Sequence, residues 1–468
     1  MIPTKNDWNN LPNYLQEFAQ ITTSFIKTIE QRPVASSERL IEPSSLSEFG
    51  CSFDESTKAL RDNLIPYLSA SRGPRYWGFV TGGATPIATF ADWLVSTFDQ
   101  NVSKSGDSIS TTIEQQALTW LCELFHLPTS FKGSLTTGAT AANFLATMTA
   151  RQYLGKQQGI DIAKEGVFNL DIEVFSTTPH ASMIKSLGMA GLGQKQISYV
   201  SNIENSEKID CSELEKCLAK SESKGKLVIA SAATVTATDF DDLVKIRALC
   251  NEHNAWLHVD AAFGIFERLI NGAEGKTNGI EFADSITLDC HKWLNVPYEC
   301  GVFLTKHRQA LFESCDVPAP YLSSSNDEPD FMSLGIENSR RFRALPIWLS
   351  LMAYGSVGIK SWVKENINCA TLLADWINNS DSYTLMHECQ LNVVLFKPNT
   401  AGLDQEQANV ITRKYLKEIN ADGRIFLSPG QWKGESIIRA AISNWQTNSE
   451  DVDIAIQALI EISEKIKT

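Results

Sequence analysis

The chain has 468 residues, 43% of them hydrophobic and 21% charged, with a net charge of −14 and an isoelectric point near 5.1. This length predicts two or three domains with sizeable cores. The acidic balance, without clustered Lys and Arg, argues against a nucleic-acid partner. No apolar run approaches the roughly 20 residues that span a bilayer, so we expect no membrane partner either.

The ten cysteines are scattered along the chain without a CxxC pair. We interpret them as reduced thiols, not as a disulfide framework or a zinc site, and therefore predict no metal. The N-terminal residues lack the apolar centre of a signal peptide. Together these features favour a cytoplasmic protein.

Residues 1–70 carry apolar side chains at helical spacing and predict a mostly helical segment. From 130 to 305, short apolar runs alternate with helical patterns, the runs being 131–137, 172–178, 226–234, 255–262, 284–289 and 300–305. Near-continuous apolar strands separated by helices are typical of an α/β fold with a mostly parallel sheet, buried on both faces.

The pattern changes after about residue 350, where strands at 390–398 and 436–444 lie among helices. This mixture predicts a small C-terminal α+β domain. We therefore expect three parts, namely an N-terminal helical segment (1–70), a large domain (71–355) and a small domain (356–468).

The stretch TTGATAANFLATMTAR (136–151) leads from a predicted strand through a turn into a helix. Free amides and the dipole at a helix N-terminus, with threonine hydroxyls nearby, can hold a phosphate group. An ordinary strand–helix turn has the same appearance. A degenerate dinucleotide turn is a further alternative, although the GxGxxG spacing is absent.

Asp260 in LHVDAAFG (257–264) and Lys292 in LDCHKWLNVPY (288–298) each stand at the polar end of an apolar run. Pyridoxal phosphate (PLP) needs this pair, because a lysine amine forms its Schiff base and a carboxylate keeps its ring nitrogen protonated. The structural alternative is a solvated lysine with a strand-end aspartate. The apolar neighbours of Lys292 favour the functional interpretation, since desolvation lowers the pKa of a lysine.

His180 follows a predicted strand and begins a predicted helix. A lone histidine in such a place is more often structural. In a PLP site, however, an imidazole can stack on one face of the ring, and a small residue such as Ala262 can pack against the other. A phosphate turn, His180, Asp-x-Ala and His-Lys in this order are much harder to obtain by accident than any one of them.

The chain resembles the group II PLP-dependent decarboxylases, the family of aromatic amino acid, glutamate and diaminobutyrate decarboxylases. The resemblance runs from about residue 70 to the C-terminus and is most specific at DAAF (260–263) and HKWLNVPY (291–298). It implies the aspartate aminotransferase-like fold (fold type I) with PLP as cofactor. It also implies decarboxylation of an L-amino acid to its amine and CO2 by a homodimer with active sites at its interface.

The resemblance also implies roles for individual residues. Lys292 would be the Schiff-base lysine, Asp260 would face the pyridine nitrogen, and His180 and Ala262 would lie on opposite faces of the ring. Phosphate and further cofactor contacts would come from Thr137, Gly138, Ala139, Thr140, Thr234 and His291. Substrate contacts would come from Trp77, Phe79, Thr81 and Phe331.

The chain departs from the family pattern at two places. Ala141 stands in the phosphate turn where family members usually carry Glu. Phe331, counted back from Arg340, stands where many members carry a loop tyrosine that protonates the carbanionic intermediate, and relatives with Phe there tend to form an aldehyde. Tyr321 and Tyr298 are alternative proton donors.

Several interpretations stay open at this point. The same fold and cofactor site would suit an aldehyde synthase, an aminotransferase or a carbon–carbon lyase. A non-catalytic PLP-fold protein is disfavoured by the intact trio of Lys292, Asp260 and His180. A nicotinamide-dependent dehydrogenase is disfavoured by the missing glycine fingerprint. Arg439 suits either a substrate carboxylate or, as we prefer, a structural ion pair.

Overall fold

The computed structural model describes residues 5–35, 45–316 and 330–467. The helices of this part of the chain pack against two sheets. They are α1 (Lys5–Lys27), α2 (Phe53–Ala59), α3 (Pro86–Phe98), α4 (Ser110–Leu124), α5 (Ala139–Gln157), α6 (Ile162–Glu165), α7 (Ala181–Met189), α8 (Cys211–Lys220), α9 (Leu243–Glu252), α10 (Arg268–Asn271), α11 (Arg308–Cys315), α12 (Ala344–Asn378), α13 (Gln405–Asp422) and α14 (Ser449–Lys467).

The large sheet has seven strands in the order β1-β7-β6-β5-β4-β2-β3. Neighbouring strands are parallel except at β7, which runs antiparallel to both β1 and β6. Strands β5, β6 and β7 are buried along their whole length, as expected of strands covered on both faces. The strands are β1 (Lys132–Thr136), β2 (Ile172–Ser176), β3 (Ile197–Tyr199), β4 (Gly225–Ser231), β5 (Ala255–Asp260), β6 (Ser285–Asp289) and β7 (Gly301–Thr305).

A second, antiparallel sheet lies in the C-terminal part, with the order β10-β11-β9-β8. Its strands are β8 (Tyr383–Leu385), β9 (Val393–Pro398), β10 (Ser428–Trp432) and β11 (Glu435–Ala441). Helices α12, α13 and α14 contribute to the core of this smaller unit. The observed architecture matches the α/β fold with a small α+β unit that the sequence predicts.

Residues before the large sheet also join this smaller core. The backbone of Trp77 donates to Phe426 O and accepts from Ala441 N, and its side chain packs with that core. Between the two units, α12 is broken at Gly355, whose φ of 58° and ψ of −174° are not helical. Our domain boundary at 355/356 falls at this break and stays a prediction. Within the described ranges, no helix combines the length and apolarity that crossing a bilayer requires.

Candidate active site

The carboxyl ends of four strands meet at one edge of the large sheet. β1 and β6 point the same way because both are antiparallel to β7, and β2, β5 and β6 belong to the parallel part. A cavity of about 590 Å³ opens at this edge, lined by Thr137, Gly138, Ala139, Thr140, Ala141, His180, Ser182, Asp289, His291, Lys292, Tyr298 and Glu299. A larger groove, of about 860 Å³, lies beside α8 and α9 and contains none of the predicted site residues.

The predicted phosphate turn forms one wall of the cavity. Gly138 has a φ of 154°, and a Cβ there would lie 3.2 Å from Cε1 of His291. Both conditions favour glycine. The amides of the first turn of α5 have no partner inside the helix, so this wall offers N–H donors and a positive dipole end to an anion.

Asp289, a residue that sequence reasoning passed over, connects the Lys292 amine with the start of α5. Nζ of Lys292 lies 3.2 Å from Oδ2 of Asp289, and Oδ1 of that carboxylate accepts the backbone N–H of Ala139 at 2.6 Å. The Asp289 side chain is almost fully buried, whereas that of Lys292 remains 19% exposed. The lysine amine is therefore held at the cavity by a buried counter-ion.

Asp260 and His180 are connected by the side chain of Asn143, which lies one turn into α5. Nδ2 of Asn143 donates to Oδ2 of Asp260 and to Oγ of Ser182, both at 2.9 Å. Oγ of Ser182 lies 2.7 Å from Nδ1 of His180, and the Ser182 amide donates to that same nitrogen. His180 is thus the N-cap of α7, and its Nδ1 is an acceptor, which leaves the proton of a neutral ring on Nε2.

Burial keeps the two cavity histidines neutral. It lowers the pKa of His180 below its ordinary value, against the opposing charge of Asp260. It also lowers the pKa of His291, against the charge of Asp289. Nδ1 of His291 accepts the backbone N–H of Cys300, so both rings have Nε2 as their N–H donor.

An aromatic border lies beside the cavity, formed by Tyr76, Phe79, Tyr298 and Phe426. The Tyr298 ring lies 4.4 Å from that of His291, and Tyr76 stacks on Phe426 at 4.6 Å. Phe79 packs against Phe426 at 6.2 Å. Phe79 and Tyr298 are also 58% and 60% exposed, so both rings can accept a further partner.

Thr81 and Phe79 belong to a segment that runs against the Lys292 backbone. A Cβ on Gly82 would lie 1.7 Å from the Lys292 carbonyl oxygen, so only glycine permits this approach. The structure therefore brings Thr81 close to the cavity, although neither Thr81 nor Phe79 lines it.

Two predicted substrate residues need correction. Trp77 is 0% exposed and its Nε1 donates to Pro74 O, so its ring belongs to the small core and cannot touch a substrate in this structure. Phe331 is only 4% exposed and packs under the guanidinium of Arg340 at 5.0 Å, away from the cavity lining. Tyr321, an alternative proton donor, lies outside the described residues.

Three predicted cofactor contacts, Asp260, Thr234 and Ala262, do not line the cavity. Thr234 is buried in the loop after β4, where its Oγ1 accepts the Asp239 amide at 3.0 Å. The Ala262 amide donates to Oδ1 of Asp260 at 3.2 Å, so the backbone of Ala262 lies beside this carboxylate.

Sequence reasoning also missed Asn143, Ser182 and Asp289. Each has a weak local signal, since Asn143 follows the phosphate turn, Ser182 stands two residues after His180 and Asp289 three residues before Lys292. These signals gain meaning only when α5, α7 and β6 are brought together.

The donor set fits PLP. The start of α5 suits its phosphate, the Lys292 amine suits its aldehyde, and the Asp260 carboxylate, still 8% exposed, suits its ring nitrogen. A dinucleotide fits less well, because the turn before α5 lacks the GxGxxG spacing through which the backbone approaches a pyrophosphate.

Comparison with known proteins agrees with this fit. The sequence matches the pyridoxal-dependent decarboxylase conserved domain over residues 37–399. The chain belongs to the pyridoxal-dependent decarboxylase family. It is 30% identical over 431 residues to the aromatic-L-amino-acid decarboxylase of Bacillus atrophaeus, covering 89% of this chain and 87% of that protein. It is 28% identical over 357 residues to the L-2,4-diaminobutyrate decarboxylase of Acinetobacter baumannii, covering 72% and 69%.

Family membership confirms the resemblance seen in the sequence, with PLP as cofactor and decarboxylation of an amino acid as the reaction. The crystal structure of Oryza sativa TDC with PLP and tryptamine superposes with a TM-score of 0.91 at 20% identity, covering 98% of this chain and 99% of that one. That likeness confirms the predicted fold of this decarboxylase.

Proposed function

We propose that Lys292 is the residue through which this decarboxylase holds PLP, with Asp260 and His180 acting on the ring. The observation that carries the proposal is that Lys292, His180 and the start of α5 line one cavity, while Asn143 joins Asp260 to the lining residue Ser182. When bound, PLP supplies an electron sink as the substrate loses CO2. Asp260 places a negative charge near the ring nitrogen, and the neutral His180 offers a flat ring and an Nε2 donor.

Replacement of Lys292 by Ala tests this assignment. The purified Lys292→Ala protein should lack the yellow absorbance of bound cofactor and release no CO2 from any amino acid. Lys306→Ala is the matched control, since Lys306 is a partly buried lysine whose amine lies over the Phe131 ring at 5.1 Å, outside the cavity. If Lys292→Ala retained borohydride-reducible cofactor, another lysine would carry PLP and the proposal would be wrong.

We further propose an aromatic L-amino acid as substrate and the amine as product. The exposed rings of Phe79 and Tyr298 beside the cavity support an aromatic side chain, because aromatic pairs and apolar burial both favour it. The relative from Bacillus atrophaeus is an aromatic-L-amino-acid decarboxylase. Phe331 is buried and does not line the cavity of its own chain, which lends no support to an aldehyde product.

Arg439 favours a second candidate, a substrate with an acidic side chain. Its guanidinium is only 5% exposed, and its Nε and Nη2 have no hydrogen-bond partner among the described residues. Burial lowers its pKa to about 10. The charge of Glu207 acts on Arg439, but the two unbonded N–H groups of the guanidinium stay unsatisfied, and a substrate carboxylate would satisfy them. The charge of Arg439 also acts on His180, which places it within electrostatic range of the cavity.

Product analysis separates these candidates. The PLP-loaded protein is given L-tryptophan, L-tyrosine, L-phenylalanine, L-glutamate, L-aspartate and L-2,4-diaminobutyrate, and CO2, amine, aldehyde and hydrogen peroxide are followed together. We expect CO2 and amine in equal amounts from an aromatic substrate. Turnover of only the acidic substrates, abolished in Arg439→Met, would replace the first candidate with the second. Aldehyde with peroxide would assign an aldehyde synthase.

A homodimer in the cytoplasm completes the proposal. Support for the dimer comes from large apolar side chains that are at least 46% exposed on α3, just before α4 and beside the cavity, namely Phe79, Phe90, Trp93, Phe98, Ile109 and Tyr298. A patch of this kind is typical of a protein–protein interface. Support for the location comes from the ten cysteines, all within the described residues and all unpaired.

A further inference from the structure

A continuous chain of buried hydrogen bonds runs from Trp256 to the cavity. Trp256 Nε1 lies 3.0 Å from Ser285 Oγ, which lies 2.9 Å from His258 Nδ1. His258 Nε2 lies 3.1 Å from Asn143 Oδ1. This series of hydrogen bonds divides at Asn143. Its amide nitrogen donates to Asp260 and also to Ser182, which contacts His180.

Chemistry fixes the direction of every bond in this chain. The Asp260 carboxylate can only accept, so Asn143 turns Nδ2 to it and Oδ1 to His258 Nε2. Nδ1 of the neutral His258 ring therefore accepts the Ser285 hydroxyl, which itself accepts the Trp256 indole N–H. The neutral His258 then carries its proton on Nε2 and donates to Oδ1 of Asn143. With the opposite amide orientation, a carbonyl oxygen of Asn143 would face the carboxylate of Asp260, and an N–H would face another N–H. Only the observed orientation satisfies all partners.

Burial makes this direction stable. Asn143 and Ser285 are 0% exposed, His258 is 1% exposed and Trp256 is 2% exposed. Burial also lowers the pKa of His258 to about 4, so the ring stays neutral near pH 7. Water cannot replace a member of such a network, and its hydrogen bonds are stronger than they would be in water.

From this geometry we propose that Asn143 is a positioning residue that couples Asp260 to His180. Its single amide group orients the carboxylate that faces the ring nitrogen and, through the Ser182 hydroxyl, fixes the proton of His180 on Nε2. The position of the carboxylate at the ring nitrogen and the N–H donor of His180 therefore both depend on the buried side chain of Asn143. The inference rests on the cofactor assignment proposed above.

Asn143→Asp tests the coupling. This substitution keeps the acceptor for His258 but replaces the donor to Asp260 and Ser182 by a carboxylate oxygen. We expect the pH midpoint of the bound-cofactor absorbance to move by at least about 1 unit. The Kd for PLP should rise by roughly tenfold to a hundredfold, the loss expected when hydrogen bonds to a charged group are removed. The charged groups that act on His180 are Asp260, Lys292, Asp289 and Arg439, and all remain in place.

Asn392→Asp is the matched control. Asn392 is also 0% exposed and donates to Ile442 O, but it lies in the small sheet region. It should lower the thermal unfolding midpoint without moving the pH midpoint or the Kd for PLP. If Asn143→Asp behaved like this control, Asn143 would be merely structural and the inference would be wrong.

Ser182→Ala decides the matter if Asn143→Asp does not fold. It removes the hydroxyl between Asn143 and His180 and leaves the bond to Asp260 intact. The pH midpoint should move in the same direction as in Asn143→Asp but by less, and an unchanged midpoint would overturn the coupling. Lys292→Ala separates this result from the cofactor assignment, since a yellow Lys292→Ala protein would refute the assignment whatever Asn143 does.

Discussion

At the scale of single residues, Asp289 decides how the cavity receives its cofactor. Its carboxylate lies between the Lys292 amine, 3.2 Å away, and the Ala139 amide, 2.6 Å away. These are groups that suit the aldehyde and the phosphate of PLP. A buried carboxylate beside a phosphate dianion repels it, and the same carboxylate forms an ion pair with the Lys292 amine.

Asp289→Asn should therefore tighten PLP binding by roughly tenfold, because removing one like charge near a partly buried anion is worth on the order of 1 kcal/mol. The Kd is measured by titrating cofactor-free protein and following the absorbance of bound PLP. Pyridoxal, which lacks the phosphate, is the control ligand and should gain much less. An equal gain for both ligands would place the effect at Lys292 and contradict repulsion of the phosphate.

At the scale of elements, α5 organises the site at its first two turns. Its first turn presents amides to an anion, and its second turn places Asn143 between Asp260 and Ser182. The approach to α5 depends on Gly138, whose φ of 154° permits the turn. Gly301 is similarly constrained, since a Cβ there would lie 2.4 Å from the carbonyl carbon of Gly138.

Gly138→Ala should weaken PLP binding by about tenfold or more, because the strained turn would shift the donor amides at a cost of about 1–3 kcal/mol. Gly159→Ala is the control at the other end of the same helix, since Gly159 also has a positive φ of 78° but has open space around it. That control should lose some thermal stability and keep the Kd for PLP. Equal PLP affinity in both variants would show that the turn does not shape the phosphate site.

At the scale of the whole molecule, the smaller unit is joined to the Lys292 loop by Asn295. Its Oδ1 accepts the amides of Gly83 and Trp445, and its Nδ2 donates to Ser443 O. The segment around Gly83, the loop that contains Lys292 and the C-terminal unit therefore share one side chain. Movement of the smaller unit would be transmitted directly to the backbone beside Lys292.

The proposed dimer is tested at the same scale. Trp93→Glu places a charge in the exposed apolar patch of α3, where Trp93 is 46% exposed, and should convert the dimer into monomers with lower PLP affinity. Sedimentation velocity measures the change. Phe168→Glu is the control, because Phe168 is 95% exposed and lies outside the patch. A Trp93→Glu protein with wild-type mass in solution would rule out α3 as the interface.

The sequence predicts much of the site because strand ends and short motifs are local features. Lys292, His180 and the turn at Gly138 line one cavity, and Asp260 is joined to it through Asn143 and Ser182. The sequence predicts the roles of aromatic residues less well, since Trp77 and Phe331 are packed in cores and do not line the cavity. Apolar rings have the same local pattern whether they line a site or pack a core, and only burial distinguishes them.

What the sequence by itself determines here is which segments form buried strands and which residues stand at their polar ends. Only the tertiary structure decides the strand order. β1 comes first in the chain but pairs with β7, the last strand of the large sheet, and that pairing brings α5 beside Lys292. Asn143 and Asp289 acquire their partners through it. Such contacts join residues up to about 150 positions apart. The local periodicity of the sequence does not indicate which residues pair at that distance.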